Sequence, residues 1–393
     1  MLMQLPDTIK YIGTDDPGLD LFEAQYPVPR GVSYNSYIIL DRQTAVMDTV
    51  DRRCTTQWLE RLEAALDGRT PDFLVIHHME PDHSASVAAF LMRYPGARVV
   101  AGAAALRMLG QFFPELTLSR EPLTVKEGDE LSLGDHVLHF IAAPMVHWPE
   151  VMMSLEKRTR TLFSADAFGT FGPAESPAEP ELWKDEARRY YCNIVGKYGR
   201  QVQAVLHTLN DLPVTTIAPL HGPALTGDLA PYVALYDAWS AYRPEEPGVL
   251  VAYASVYGGT AEAAAALAAK LRDRGVANVV ETDLCRTHVS YAVAQAFRFP
   301  VIALCSATYN AGLFPAMETF LTHLRERGLP GRVYGLVENG TWAPVAGKLM
   351  ADAVAALPHS TVLDPVVTIH SRLAPADLPA VGALADALRG ALH

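Results

Sequence analysis

At 393 residues, with 50% hydrophobic and 19% charged side chains, the chain has the length for roughly two to three domains, each able to bury its own core. A formal charge of -12 and the lack of any Lys/Arg block argue against binding of nucleic-acid backbones. No apolar run approaches a membrane span and Met1-Leu2-Met3-Gln4-Leu5-Pro6 is not a signal peptide, so the expected location is cytoplasmic.

Residues 34–40 and 45–48 read as two strands joined by a polar turn at 41–44, a hairpin. A helix follows over 55–66, with Trp58, Leu59, Leu62 and Leu66 at helical spacing. The apolar run Leu74-Val75-Ile76 then reads as a buried strand that delivers His78, Glu80, Asp82 and His83 onto the loop after it. Alternation along an extended segment lets His78, Glu80 and Asp82 point one way, and a turn at Pro81-Asp82 brings in His83. Two imidazoles and two carboxylates on so short a loop cannot all close on one ion. The spacing suggests two adjacent metals, His78 and Glu80 on one, Asp82 and His83 on the other. A helix is expected to start near Ser84, with a strand ending near residue 101 and a helix over 103–113. Strands over 131–143, 151–156 and 161–165 follow, and two blocks of strands with helices outside suggest a layered αββα domain.

Three more candidate ligands stand at strand exits: His147 after residues 140–144, Asp166 after 162–165 and His221 after 217–220. The set His78-x-Glu80-x-Asp82-His83, then His147, Asp166 and His221, resembles the metallo-β-lactamase fold as modified in flavodiiron proteins. Zinc hydrolases of that superfamily usually carry His where this chain has Glu80, and a hard carboxylate favours iron more than a third imidazole would. The resemblance implies that His78, Glu80 and His147 hold one iron, that Asp82, His83 and His221 hold the other, and that Asp166 bridges them. His77 is taken as structural or as support for the ligands, and Trp148 as a candidate wall of the pocket.

Residues 173–180, rich in Pro, Ala, Glu and Ser, read as a loop, and a long helical region containing Tyr190, Tyr191 and Tyr198 continues to about residue 210. A break in pattern at Tyr242-Arg243-Pro244-Glu245-Glu246-Pro247-Gly248 sets the expected domains: 1–242, a linker at 243–248, and 249–393. From residue 249 strands and helices alternate: strands at 249–254, 278–283, 301–306, 332–337 and 361–367, helices at 260–274, 288–297, 316–327, 344–357 and 376–392. Such units make an α/β, doubly wound, five-stranded parallel sheet whose ligand site lies at the carboxyl ends of its strands.

After the first of these strands, Ser255-Val256-Tyr257-Gly258-Gly259-Thr260 lets backbone N–H groups approach a phosphate at a helix N-terminus. It is neither a G-x-G-x-x-G loop nor a P-loop with Lys, and it resembles the phosphomonoester cradle of flavodoxins, which bind FMN. Loops after the third strand (Ala307, Thr308, Tyr309, Asn310, Gly312) and the fourth (Glu338, Asn339, Gly340, Trp342) are placed to flank the flavin ring.

The two halves together look like a flavodiiron protein of the two-domain type. That resemblance implies reduction of dioxygen to water, nitric oxide to nitrous oxide, or both, at two irons per chain supplied by FMN. Cys54, Cys192, Cys285 and Cys305 form no C-x-x-C pair, so no rubredoxin-like module is expected and electrons come from outside. The implied donor is a rubredoxin, another flavoprotein or a reduced deazaflavin. The implied assembly is a head-to-tail homodimer, or a tetramer of such dimers, pairing the FMN of each chain with the diiron centre of the other. Two competing readings are a zinc-dependent hydrolase with a regulatory flavodoxin domain and a plain electron carrier. The first leaves Glu80 and the fused flavin domain unexplained; the second asks a thiolate-free ligand set to be structural.

Overall fold

A computed structural model describes residues 5–392; Met1 to Gln4, part of the segment on which the absence of a leader was read, and His393 lie outside the described residues. The chain divides into two compact units, Met1–Asp237 and Ala238–His393.

The first unit holds two six-stranded sheets. One runs, in spatial order, Ile9–Tyr11, Tyr37–Ile39, Ala45–Met47, Phe73–Ile76, Arg98–Gly102, Leu123–Val125. The other runs Glu130–Ser132, Val137–Ala142, Met152–Glu156, Thr161–Phe163, Thr216–Ala218, Leu225–Thr226. The expected hairpin forms, with Tyr37 opposite Met47 in antiparallel register. Tyr37, Met47, Val75 and Val100 of the first sheet pack with Leu138, Phe140, Met152 and Phe163 of the second in one buried cluster, which is what joins the sheets face to face. Outside the first sheet lies the helix Thr55–Leu66, whose Trp58, Leu62 and Leu66 are buried, Trp58 against Phe90 of the helix Val87–Arg93. The αββα expectation therefore holds.

Several local expectations differ. The helical turn after the ligand strand begins at Pro81, not near Ser84, so Pro81–Ser84 already contains Asp82 and His83. Proline at the first helical position loses no hydrogen bond and starts the turn. The long helical region is Pro180–Tyr190, a π-helical turn Tyr191–Val195, a tight turn Gly196–Tyr198 and Gly199–Asn210. Short N-terminal strands at Thr14–Asp16, Leu21–Phe22 and Tyr26–Pro27 were too brief to show periodicity.

In the second unit, parallel strands lie in the order Val279–Asp283, Val249–Ala254, Val301–Tyr309, Val333–Asn339, followed by Thr361–Val362 and Val367–Ile369. The last expected strand is thus two short ones, because Pro365 has no N–H for the ladder. Segment 243–248 is held by this unit: Glu245 N donates to Arg298 O, and Arg298 Nε to Glu246 Oε1 at 2.6 Å. No helix among the described residues is long and apolar enough to cross a membrane.

Candidate metal centre and flavin cradle

The ligand loop works by a change of backbone geometry at Pro81. The strand Phe73–Ile76 ends just before the ligands, Glu80 caps the helical turn with φ -58 and ψ 139, and the turn itself carries Asp82 and His83. Thr49 fastens that turn, its N and Oγ1 both donating to His83 O, at 3.0 and 2.7 Å. His221 follows the strand Thr216–Ala218, and next to it Gly222 has φ +75; a Cβ there would stand 2.2 Å from Thr170 Cγ2.

Two groups result, His78, Glu80, His147 and Asp166, and beside it Asp82, His83 and His221. In the first, Glu80 Oε2 is 3.2 Å from His78 Nε2 and 3.0 Å from His147 Nε2. In the second, Asp82 Oδ2 is 3.3 Å from His83 Nε2 and 3.2 Å from His221 Nε2. Asp166 faces both: its Oδ2 is 3.2 and 3.3 Å from His78 and His147, its Oδ1 3.3 and 3.7 Å from His83 and His221. Every sequence-read ligand is in one of the two groups.

The donor set fits metal ions. Both oxygens of Asp82 and of Asp166, and Nε2 of His147, are buried among the described residues without a well-directed hydrogen bond. The Nε2 atoms of His83 and His221 point at each other across 3.1 Å. His221 Nδ1 donates to Ser33 O at 2.6 Å, which leaves its Nε2 facing the centre. His78 Nδ1 donates to Glu150 Oε1 at 2.8 Å, which orients its Nε2 likewise. Glu150 also accepts from Met79 N at 2.9 Å. Ser33 and Glu150 went unread in the sequence; Glu150, in the same strand-exit segment as His147, was the only visible hint of either.

The charges follow from this packing. Burial pushes the Asp166 carboxyl up, but His78, His147 and His83 more than offset it and hold Asp166 well below the usual range. Burial lowers His147, and Asp166 and Glu80 reverse that, raising it to about 9. Burial also opposes the charge on His78, yet Asp166, Glu150 and Glu80 raise it well above its ordinary value.

His77 is not a ligand. Its Nδ1 meets Asp48 Oδ2 at 2.6 Å and its Nε2 meets Ser154 Oγ at 2.8 Å, so it ties the two sheets together. Trp148 stands edge-on to His78, ring centres 5.2 Å apart, and stacks on Phe112. Tyr190 is buried with its ring 5.5 Å from that of His221, whereas Tyr191 packs on Tyr236. Tyr198 is half-buried in the tight turn after the π-helical one.

In the second unit a cavity of about 670 Å³ opens at the carboxyl ends of the strands. From the first loop Ser255, Val256, Tyr257, Gly259 and Thr260 line it, from the third Ala307, Thr308, Tyr309 and Asn310, from the fourth Asn339, Gly340 and Trp342. Gly258 caps the helix Gly259–Asp273 at φ +96, with open space where its Cβ would stand. Tyr257 and Trp342 are 99% and 90% exposed, aromatic faces at the rim that suit a planar ring. Three expected contacts, Gly258, Gly312 and Glu338, are not among the lining residues. Gly312 pairs with Tyr309 in a short hairpin, and the Glu338 carboxylate accepts from Gly347 N and Thr368 Oγ1. A fifth loop, Ser371 and Arg372, lines it instead and was not anticipated.

The model of the ODP family of beta lactamases matches residues 32–222. The chain is 30% identical over 350 residues to an anaerobic nitric oxide reductase flavorubredoxin of Pectobacterium atrosepticum, covering 85% of this chain and 68% of that one. It is also 30% identical to a putative diflavin flavoprotein of Synechocystis over 82% of this chain and 55% of that one. The chain spans about half the length of the diflavin flavoproteins it matches, 55% in that case and 42% in a Thermosynechococcus relative. Among solved structures, rubredoxin oxygen:oxidoreductase of Desulfovibrio gigas superposes with a TM-score of 0.90 at 24% identity, over 100% of this chain and 98% of that one; this likeness speaks to the fold.

Proposed function

Since the chain belongs to the flavodiiron protein family, we propose that it reduces dioxygen to water, nitric oxide to nitrous oxide, or both, at a diiron centre supplied with electrons by FMN. The observation that carries the reading is Asp166, one buried carboxylate facing two imidazole-rich groups. His78, Glu80 and His147 would hold one iron, Asp82, His83 and His221 the other, and Asp166 both. When bound, iron offers open positions for a small gas and changes its redox state, and FMN stores an electron pair.

The chain's own residues then have separable roles. Glu80, Asp82 and Asp166 offset the charge of two cations in a buried site. Glu150 and the Ser33 carbonyl hold His78 and His221 in the ligating orientation. Trp148 keeps one side of the first group dry. The second unit's cavity would hold the flavin, with residues 255–260 offering donors to its phosphate and Tyr309 and Trp342 offering aromatic faces to its ring. A zinc hydrolase reading is disfavoured by Glu80 and by a flavin-type cavity in the same chain.

We further propose a cytoplasmic protein that takes electrons from a rubredoxin, another flavoprotein or a reduced deazaflavin, and that works as a head-to-tail homodimer. The test is anaerobic stopped-flow of the reduced protein against each gas. Rapid flavin and iron reoxidation by at least one gas is expected. Inertness toward both, with hydrolysis of an ester or amide substrate, would replace this reading with the hydrolase.

A further inference from the structure

Resting on the FMN reading, one part of the cradle has no counterpart in the sequence expectations: the fifth loop, closed over the glycines. A Cβ on Gly259 would stand 2.0 Å from Ser371 O and 3.2 Å from Arg372 Cα, so this loop lies directly on the start of the cradle helix. Its position is built, not incidental. Asn339, only 8% exposed, donates from Nδ2 to Ser371 O at 3.1 Å and to Thr260 Oγ1 at 3.2 Å, and its Oδ1 accepts from Ser371 N at 3.0 Å. One amide thus locks the fifth loop to the first helical turn.

That lock places Arg372 at the mouth of the cradle. Among the described residues it is the one basic side chain lining the cavity, and Glu262 is the one acidic one. The two stand 3.9 Å apart with side chains 79% and 50% exposed, a pair too long and too wet to hold the guanidinium. The remaining cradle donors are neutral hydroxyls and backbone N–H groups. Glu262 sits in the first helical turn, where its charge opposes an incoming phosphate, and the protein as a whole carries -12.

We infer that Arg372 is the phosphate-selecting residue of the flavin site: it turns from Glu262 to the phosphate and makes the cavity prefer FMN over riboflavin. A guanidinium suits this role because it presents paired N–H donors to a phosphate in fixed geometry. Riboflavin, with the same ring and no phosphate, gains nothing from it.

The experiment titrates the flavin-free, full-length chain with FMN and, separately, with riboflavin, following quenching of flavin fluorescence. Arg372→Ala is expected to weaken FMN about ten-fold while riboflavin changes by less than about two-fold. Arg372→Lys recovers part of the loss, and Glu262→Gln tightens FMN. Added salt narrows the gap between wild type and Arg372→Ala. Equal weakening of both flavins would mean that Arg372 only shapes the loop, and no change in either would place the phosphate elsewhere. If the wild-type chain binds neither flavin, the FMN reading itself falls, an outcome distinct from both.

Discussion

At the scale of single residues, the centre depends on the carboxylate that both groups share. Asp166→Ala leaves His78, His147, His83 and His221 without their common anion. Loss of most bound iron is expected, with the flavin retained because it belongs to the other compact unit; elemental analysis and the visible spectrum of one sample read both. Loss of both cofactors would indicate misfolding instead. A second prediction concerns pH. In the metal-free protein His147 is raised from 6.5 to about 9, so its protonated pairing with Asp166 and Glu80 is fully present below pH 6.5 and is lost as pH rises through about 9. A metal must displace that proton, so iron affinity should climb with pH across this window, by about ten-fold per unit for each proton displaced. Anaerobic titration with a pH-indicator dye should show proton release on Fe(II) binding at pH 7. A pH-independent affinity with no release would contradict the protonated state.

At the scale of elements, the proposed phosphate site joins the helix Gly259–Asp273 to the loop before it. Gly258→Asp places a carboxylate in the open space at a position with φ +96, adding repulsion to backbone strain. The purified variant is expected to be colourless yet to contain wild-type iron, and stoichiometric FMN in it would move the cradle elsewhere. The helical turn Pro81–Ser84 has the complementary role in the first unit. The spacing already divides the ligands between two groups; what the structure adds is that Asp82 lies with His83 inside the helical turn Pro81–Ser84, not on extended chain with His78 and Glu80. Periodicity could not show this, because one turn of helix is shorter than the window a 3.6-residue repeat needs.

At the scale of the whole molecule, the proposed head-to-tail assembly makes a prediction that a monomer does not. An iron-free variant, Asp82→Ala with His83→Ala, and the FMN-free Gly258→Asp should each be inactive alone. Unfolded and refolded together in equal amounts, about half of the dimers are mixed, each with one intact flavin–iron pair between chains, restoring on the order of a quarter of wild-type turnover. Differential tags confirm mixing. Background activity in tagged mixed dimers would rule out electron transfer between chains.

The sequence by itself determined what is local. Strand exits are marked by apolar runs ending in a polar residue, and it is the repetition of that pattern at His78, His147, Asp166 and His221, not any one of them, that made the ligands legible, as the neighbouring loops did for the glycine pair after the first strand of the second unit. The sum of these signals, through resemblance, also identified the family. Tertiary structure alone decided which groups orient and close the sites. His78 meets Glu150 across 72 residues and His221 meets the Ser33 carbonyl across 188, and no spacing rule reaches that far. The same holds for His77, whose partners Asp48 and Ser154 belong to different sheets, and for the fifth loop, which reaches the cradle through Asn339. Ligand type is written in side-chain chemistry at each position. Hydrogen-bond geometry depends on where distant backbones come to rest, and packing of the two sheets and of the strand ends sets that.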